Sequence, residues 1–261
     1  MGCRTRAPLL AGWLLTVAVF QALPSAAAAQ ARMPLVVRGR TIALRTYGPS
    51  SGAPVVVASG DGGWVHLGPQ VAALLAGAGY RVLGLDSRQY LEAFTSGSAT
   101  LEPEDVRRDF GQVAAVAAQG GAAKPILIGV SEGAGLCVLA ASDGAVQAAI
   151  RGVIALGLPD VNELGWRWRD AVIYLTKGVP REPTFSVSGI IGRVSPLPLA
   201  AIHSTGDEFV PVAVVQRLIA LAQPPKRLWL VEASNHRFSG NEGEFRRRLL
   251  EAVAWVEAPG R

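Results

Sequence analysis

The chain has 261 residues, of which 50% are hydrophobic and 17% charged, with a formal net charge of +5. That balance excludes a chain with a disordered majority and fits one substantial core. The mild basic excess suits work near an anionic membrane surface without establishing such a partner, and no nucleic-acid partner is expected.

The N-terminus reads as a separate object. Arg4 and Arg6 precede the uncharged stretch Leu9 to Leu23, followed by Pro24-Ser25 and an alanine-rich segment ending Ala29-Gln30-Ala31. A basic start, an apolar middle and a small-residue exit make a secretory signal peptide, expected over 1–31. The apolar run is short for a spanning helix, which needs about 20 residues; an uncleaved anchor is the competing reading. Cleavage after Ala31 removes two arginines and no acid, taking the net charge from +5 to +3, and leaves 32–261 as a single domain. Cys3 departs with the signal, so Cys137 stands alone and is expected to be a buried packing thiol.

Along the rest of the chain, Met33 to Tyr47 alternates apolar and polar residues around Arg38-Gly39-Arg40, which predicts an opening hairpin. Pro54 to Ala58 is the first buried strand and runs into Ser59-Gly60-Asp61-Gly62-Gly63-Trp64. Leu67 to Gly79 carries helical spacing and ends on glycine. Tyr80 to Leu85 is a strand, and 87–101 reads as a loop. A helix opens at Glu102-Pro103-Glu104-Asp105 and runs to about Gln119, with acids in its first turn. Pro125 to Ile128 starts a strand, and a small-residue helix follows Gly133. Arg151 to Leu156, Leu199 to Ser204 and Leu228 to Val231 supply further strands, with helices at Val212 to Ala222 and Phe245 to Val256. Strands alternating with helices predict an α/β fold with a mostly parallel sheet covered on both faces. The segment 162–198 breaks this rhythm and is expected to be a small insertion that caps the strand ends.

Gly129-Val130-Ser131-Glu132-Gly133 lies between a strand and a helix. In a nucleophile elbow the turn is so tight that positions two residues either side of the serine must lack side chains. The turn pushes the hydroxyl outward, while the helix start presents amides to developing negative charge. A base and an orienting carboxylate are then required. Of three histidines, His203 falls inside a predicted strand and reads as a core residue. His66 follows the glycine loop and is a rival base. His236, just past the last strand, is the best candidate. Asp207, after the penultimate strand, is the acid, with Asp160 as the alternative. Serine, aspartate, histidine is the chain order of α/β-hydrolases, and each falls in a loop after a different strand. The glycine loop, which lacks the spacing of a phosphate-cradling loop, is expected to give the second oxyanion donor. The donors are assigned to the amides of Asp61 or Gly62 and of Glu132.

Ser59-Gly60-Asp61-Gly62-Gly63-Trp64, the segment Gly79 to Ser87, Phe185 to Gly189 and Asn235 to Phe238 together resemble the bacterial virulence-protein VirJ/AcvB family. The resemblance runs from about Ala53 to Glu251. It implies an exported periplasmic α/β-hydrolase with Ser131, Asp207 and His236 at the serine, acid and base positions. AcvB-like members hydrolyse the aminoacyl ester of aminoacyl-phosphatidylglycerol, and VirJ-like members are linked to type IV secretion. Such chemistry needs neither metal nor cofactor. Glu208 or Asp61 is then a candidate to pair with a cationic amino group, and Arg167 or Arg169 with a lipid phosphate. Trp64 is a candidate substrate contact, and Trp166 and Trp168 are candidates for a membrane interface. The alternatives are a general carboxylesterase or lipase-like enzyme and a non-catalytic periplasmic binding factor.

Overall fold

The computed structural model describes residues 1–2, 31–119, 121, 123–168 and 182–258. The expected signal segment therefore lies almost wholly outside the described residues. Within them, no helix is long and apolar enough to cross a membrane.

A hairpin opens the fold, β1 (Ala31–Val37) pairing antiparallel with β2 (Arg40–Tyr47) around Arg38 and Gly39, both at positive φ. The parallel part consists of β3 (Pro54–Ala58), β4 (Arg81–Leu85), β5 (Ile126–Val130), β6 (Gly152–Leu156), β9 (Leu199–Ser204) and β10 (Lys226–Val231). The eight strands run in the order β1-β2-β4-β3-β5-β6-β9-β10, with every pairing from β4 to β10 parallel. Strands β3, β5, β6 and β9 are buried along their whole length. Such strands read as continuous apolar runs because helices cover both of their faces.

Two separate cores result. On one face α3 (Pro103–Ala118) and α4 (Glu132–Ala141) cover Val56, Leu83, Leu127 and Val153. On the other, α1 (Leu67–Gly77) and the terminal helix Glu242–Glu257 cover Val55, Val57, Ile128 and Ile202. Each fully buried aliphatic side chain contributes about 1.5 to 3 kcal/mol.

Helix α4 is buried at every position, so it has to lie close to the sheet. Two glycines permit this. A Cβ on Gly129 would stand 2.3 Å from the Gly133 carbonyl oxygen and 2.4 Å from Ala134 Cα, and one on Gly133 would stand 2.3 Å from the Ser59 carbonyl oxygen. These neighbours are backbone atoms, which cannot swing aside.

The expected loop 87–101 instead begins with helix α2 (Ser87–Phe94). Asp86 caps it by accepting the Gln89 N–H at 3.1 Å, and Tyr90 and Leu91 are buried. The Tyr90 hydroxyl donates at 2.7 Å to the buried Asp109 carboxylate, which also accepts from Arg38 at 2.8 to 3.1 Å. That junction joins the hairpin turn to α2 and α3. A further short helix, α5 (Gly144–Ala149), follows α4.

In the expected insertion 162–198, a two-stranded ribbon forms from β7 (Val161–Glu163) and β8 (Thr184–Ser186). The 3₁₀ turns that follow bury Val187, Ile191 and Val194 beside α4 and α6 (Val212–Leu221). Val187, Ile191 and Val194 are thus core, because their apolar side chains fill the space between two helices. The terminal helix is hereafter α7.

Gly129→Ala and Gly133→Ala are each expected to lower unfolding stability by about 2 to 3 kcal/mol, read from the urea midpoint. Gly144→Ala, whose Cβ would meet nothing within 4 Å, is expected to change it by less than about 0.5 kcal/mol.

Candidate active site

Ser131 sits between β5 and α4 with φ 52° and ψ −120°, one of four non-glycine residues at positive φ among the described residues. A side chain in that region costs about 1 to 3 kcal/mol and persists only where its surroundings enforce it. Here they do. The Ser131 amide donates to the Leu156 carbonyl on β6 at 2.8 Å, and its carbonyl accepts from Ala134 at 2.8 Å. The glycine loop closes the other side, since a Cβ on Gly60 would stand 3.4 Å from Ser131 Cβ. The first two amides of α4, those of Glu132 and Gly133, have no intrahelical acceptor, the bonding beginning at Ala134. They therefore remain available next to the serine.

Asp207 and His236 come together from the loops after β9 and β10. His236 Nδ1 and Asp207 Oδ2 are 2.6 Å apart, with the carboxylate side chain 0% exposed and the imidazole 11%. The other Asp207 oxygen accepts the amides of Phe209 at 2.9 Å and Val210 at 2.8 Å. Burial works to raise the Asp207 pKa. The bond to and charge of His236, with the two amides, outweigh it and hold the carboxyl below the ordinary range. The two loops approach closely at Gly206, where a Cβ would stand 2.4 Å from the Ala233 carbonyl oxygen.

His236 and Ser131 share a neighbour. Gly157, at φ 60°, lies directly under the imidazole, since its missing Cβ would stand 2.4 Å from Cε1 and 3.2 Å from Nε2 of His236. Gly157 directly follows Leu156, whose carbonyl holds the Ser131 amide. Serine and histidine thus border the same point at the end of β6. The backbone amide of His236 donates to Glu208 Oε2 at 2.7 Å, and Phe209, 69% exposed, meets the imidazole edge-on at 5.6 Å.

The remaining sequence candidates separate by location. Asp160 accepts from Ser186 Oγ, the Ser188 amide and Arg217, so it ties β8 and α6 and takes no part with His236. His66 is exposed at the start of α1. Trp64 packs over Gly84 and donates from Nε1 to the Tyr47 hydroxyl at 2.9 Å, so its ring supports the glycine loop from below. Arg167 pairs with Glu182, and Arg169 lies outside the described residues. Trp166 is buried beneath Arg88, at 3.8 Å, whereas Trp168 is exposed. Cys137 is buried, and burial pushes its thiol well above the ordinary range.

Glu132 is a feature that spacing did not reveal. Its side chain is buried, and Oε1 accepts the amide of Glu163 on β7 at 2.8 Å. Burial raises its pKa well above the ordinary range, and the charges of Glu163 and Asp61 add to this against the opposing amide bond. Gly157 directly follows the strand expected over Arg151 to Leu156, and nothing in the local sequence signals its role. Its task depends on a histidine far along the chain, and Glu163 likewise meets Glu132 only through the β7 ribbon.

The family described as bacterial virulence protein (VirJ) matches residues 53–166. The uncharacterized protein YfhR of Escherichia coli (strain K12) is 32% identical over 75 residues, 28% of this chain and 26% of that protein. Among solved structures, a bacterial membrane phospholipase A described as a virulence factor superposes with a TM-score of 0.63 at 14% identity, covering 87% of each chain. The esterase domain of a Rhodothermus marinus protein gives 0.58 at 18% identity over 87% of this chain and 97% of that one. A dienelactone hydrolase from Anabaena variabilis gives 0.59 at 14% identity over 88% and 97%. The chain is thus VirJ-like over residues 53–166, on the fold of the α/β-hydrolases.

Proposed function

We propose that this protein is an exported, periplasmic serine hydrolase that cleaves an ester through Ser131, His236 and Asp207. The substrate proposed is the aminoacyl ester of aminoacyl-phosphatidylglycerol. The observation that carries the reading is the 2.6 Å Asp207–His236 contact above Gly157, beside the strained Ser131.

In this reading Ser131 Oγ attacks the acyl carbonyl while His236 Nε2 takes its proton, and Asp207 stabilises the imidazolium. The carbonyl oxygen, now negative, accepts from the Glu132 amide and from that of Asp61 or Gly62, each donor contributing about 3 kcal/mol in the transition state. As the intermediate collapses and the acyl C–O bond breaks, the imidazolium protonates the departing lipid oxygen, which leaves as the alcohol. Water, activated by His236, attacks the acyl-serine, releases the amino acid and restores Ser131. The serine proton leaves with the lipid alcohol and is replaced by one from the attacking water, so the constellation returns to its starting state.

Acidic groups around the site favour a cationic acyl group. Asp61, Glu163 and Glu208 lie on the elements that surround Ser131 and His236. Glu132 itself is biased towards its neutral form, which avoids a second negative charge beside the oxyanion.

Incubation with vesicles containing lysyl- or alanyl-phosphatidylglycerol should release the amino acid. Ser131→Ala is expected to lower kcat by about 10⁴-fold or more and to abolish labelling by a fluorophosphonate probe while the protein stays folded. Full activity in that variant would overturn the mechanism. Cleavage of short soluble esters with no turnover of the lipid would leave a general carboxylesterase, and no labelling at all a binding factor.

Asp207→Asn is expected to reduce kcat by about 10³- to 10⁴-fold with little change in KM, because the amide cannot hold the imidazolium. The check is steady-state kinetics on the same ester.

The raised folded-state pKa of Glu132 means that the wild type gives up stability as the pH climbs above the ordinary glutamate value. Glu132→Gln keeps an acceptor for the Glu163 amide and cannot ionise. Its melting temperature is expected to exceed that of wild type by more at about pH 8 than at about pH 5, as calorimetry would show.

A further inference from the structure

His203 occupies a strand position that reads as core, yet its contacts are directed. It is 0% exposed on β9, four residues before Asp207. Its Nε2 lies 2.9 Å from the Val210 carbonyl oxygen and 3.8 Å from Asp207 Oδ2. A carbonyl only accepts, so Nε2 carries the proton. Nδ1 is buried without a hydrogen-bond partner among the described residues. A position that needed only volume would be filled better by leucine or methionine, which leave no polar atom orphaned. The imidazole is explained by what its Nε2 holds.

Val210 is gripped at both ends. Its amide donates to Asp207 Oδ1 at 2.8 Å, and its carbonyl accepts from His203. The 207–210 turn therefore closes on the strand that precedes it, with the apolar side chain of Val210 buried. Next along β9, Ser204 Oγ donates to the Ala233 carbonyl at 3.3 Å, reaching the loop that carries His236. The end of β9 thus holds both loops.

We propose that His203 is a positioning residue for the Asp207–His236 pair. Its Nε2–H locks the Val210 carbonyl, so that the turn presents one Asp207 oxygen to backbone amides and the other to His236. Burial lowers the His203 pKa, against the charge of Asp207 and the Val210 bond, and the charge of His236 lowers it further. These effects bias the ring towards its neutral, Nε2–H donor form. As regards catalysis, the inference rests on the hydrolase reading above; as regards geometry, it stands apart from it.

Three measurements test it. Nitrogen NMR of the wild type should find His203 in the Nε2–H tautomer across the active pH range; an Nδ1–H or doubly protonated ring overturns the proposal without any variant having to fold. Next, the downfield proton of the His236 Nδ1–H···Asp207 bond should be lost or moved in His203→Leu and kept in His203→Gln, whose amide can donate to Val210. Finally, with an ester substrate, His203→Leu should lower kcat by about 10- to 100-fold with KM within about threefold, and His203→Gln should recover most of the loss. A folded His203→Leu protein with unchanged kcat and an unchanged downfield proton refutes the role. If the wild type neither hydrolyses esters nor reacts with a fluorophosphonate, the hydrolase reading fails, while the tautomer and the proton signal still decide what His203 does.

Discussion

A carboxylate with no solvent access faces an imidazole that is only slightly open, and the site is built around that contact. Left alone, the buried charge of Asp207 would be costly, since desolvation is not repaid by packing. Here two amides accept the burden on one side and His236 on the other. The pair also restrains its loops: the acid can keep its hydrogen bonds only if the turns after β9 and β10 hold their shapes. A polar network of this kind rigidifies when every member is satisfied.

Close approach is the second constraint, and glycine supplies it at each contact. Gly129 and Gly133 let α4 press against the sheet, Gly157 seats the histidine ring and Gly206 lets two loops meet. At each of these positions the missing Cβ creates the space, and Gly157 alone among them also lies at positive φ. Ser131, by contrast, accepts a strained backbone because its side chain is needed.

The electrostatic character of the surroundings of Ser131 follows from burial more than from net charge. The chain is basic overall, yet buried acids adjoin the serine, Glu132 following it directly in sequence. Glu132 and Glu163 are both buried, joined through one backbone amide, and Asp61 adds its charge from the glycine loop. Burial, with the charges of Glu163 and Asp61, raises the Glu132 pKa, and the β7 ribbon is attached to α4 through its carboxyl group.

Much of the framework could be read from local pattern. Uncharged five-residue runs mark central strands, because only a sheet covered on both faces buries every side chain. Gly129-Val130-Ser131-Glu132-Gly133 marks the elbow, because a turn that tight excludes side chains. Chain order marked Asp207 and His236 as partners, because loops after parallel strands emerge on one edge. Helix α2 was missed because its stability comes from the Asp86 cap and from Tyr90 reaching Asp109, contacts that no periodicity records. Val187, Ile191 and Val194 became core because α4 and α6 offered space for them. Only the folded chain could show that Gly157 seats His236, that Glu132 meets Glu163 and that His203 holds Val210. Each of these contacts joins residues that different strands bring together. Local sequence thus determined where strands, turns and reactive groups lie, whereas distances between groups from separate strands were decided by the packing of the sheet.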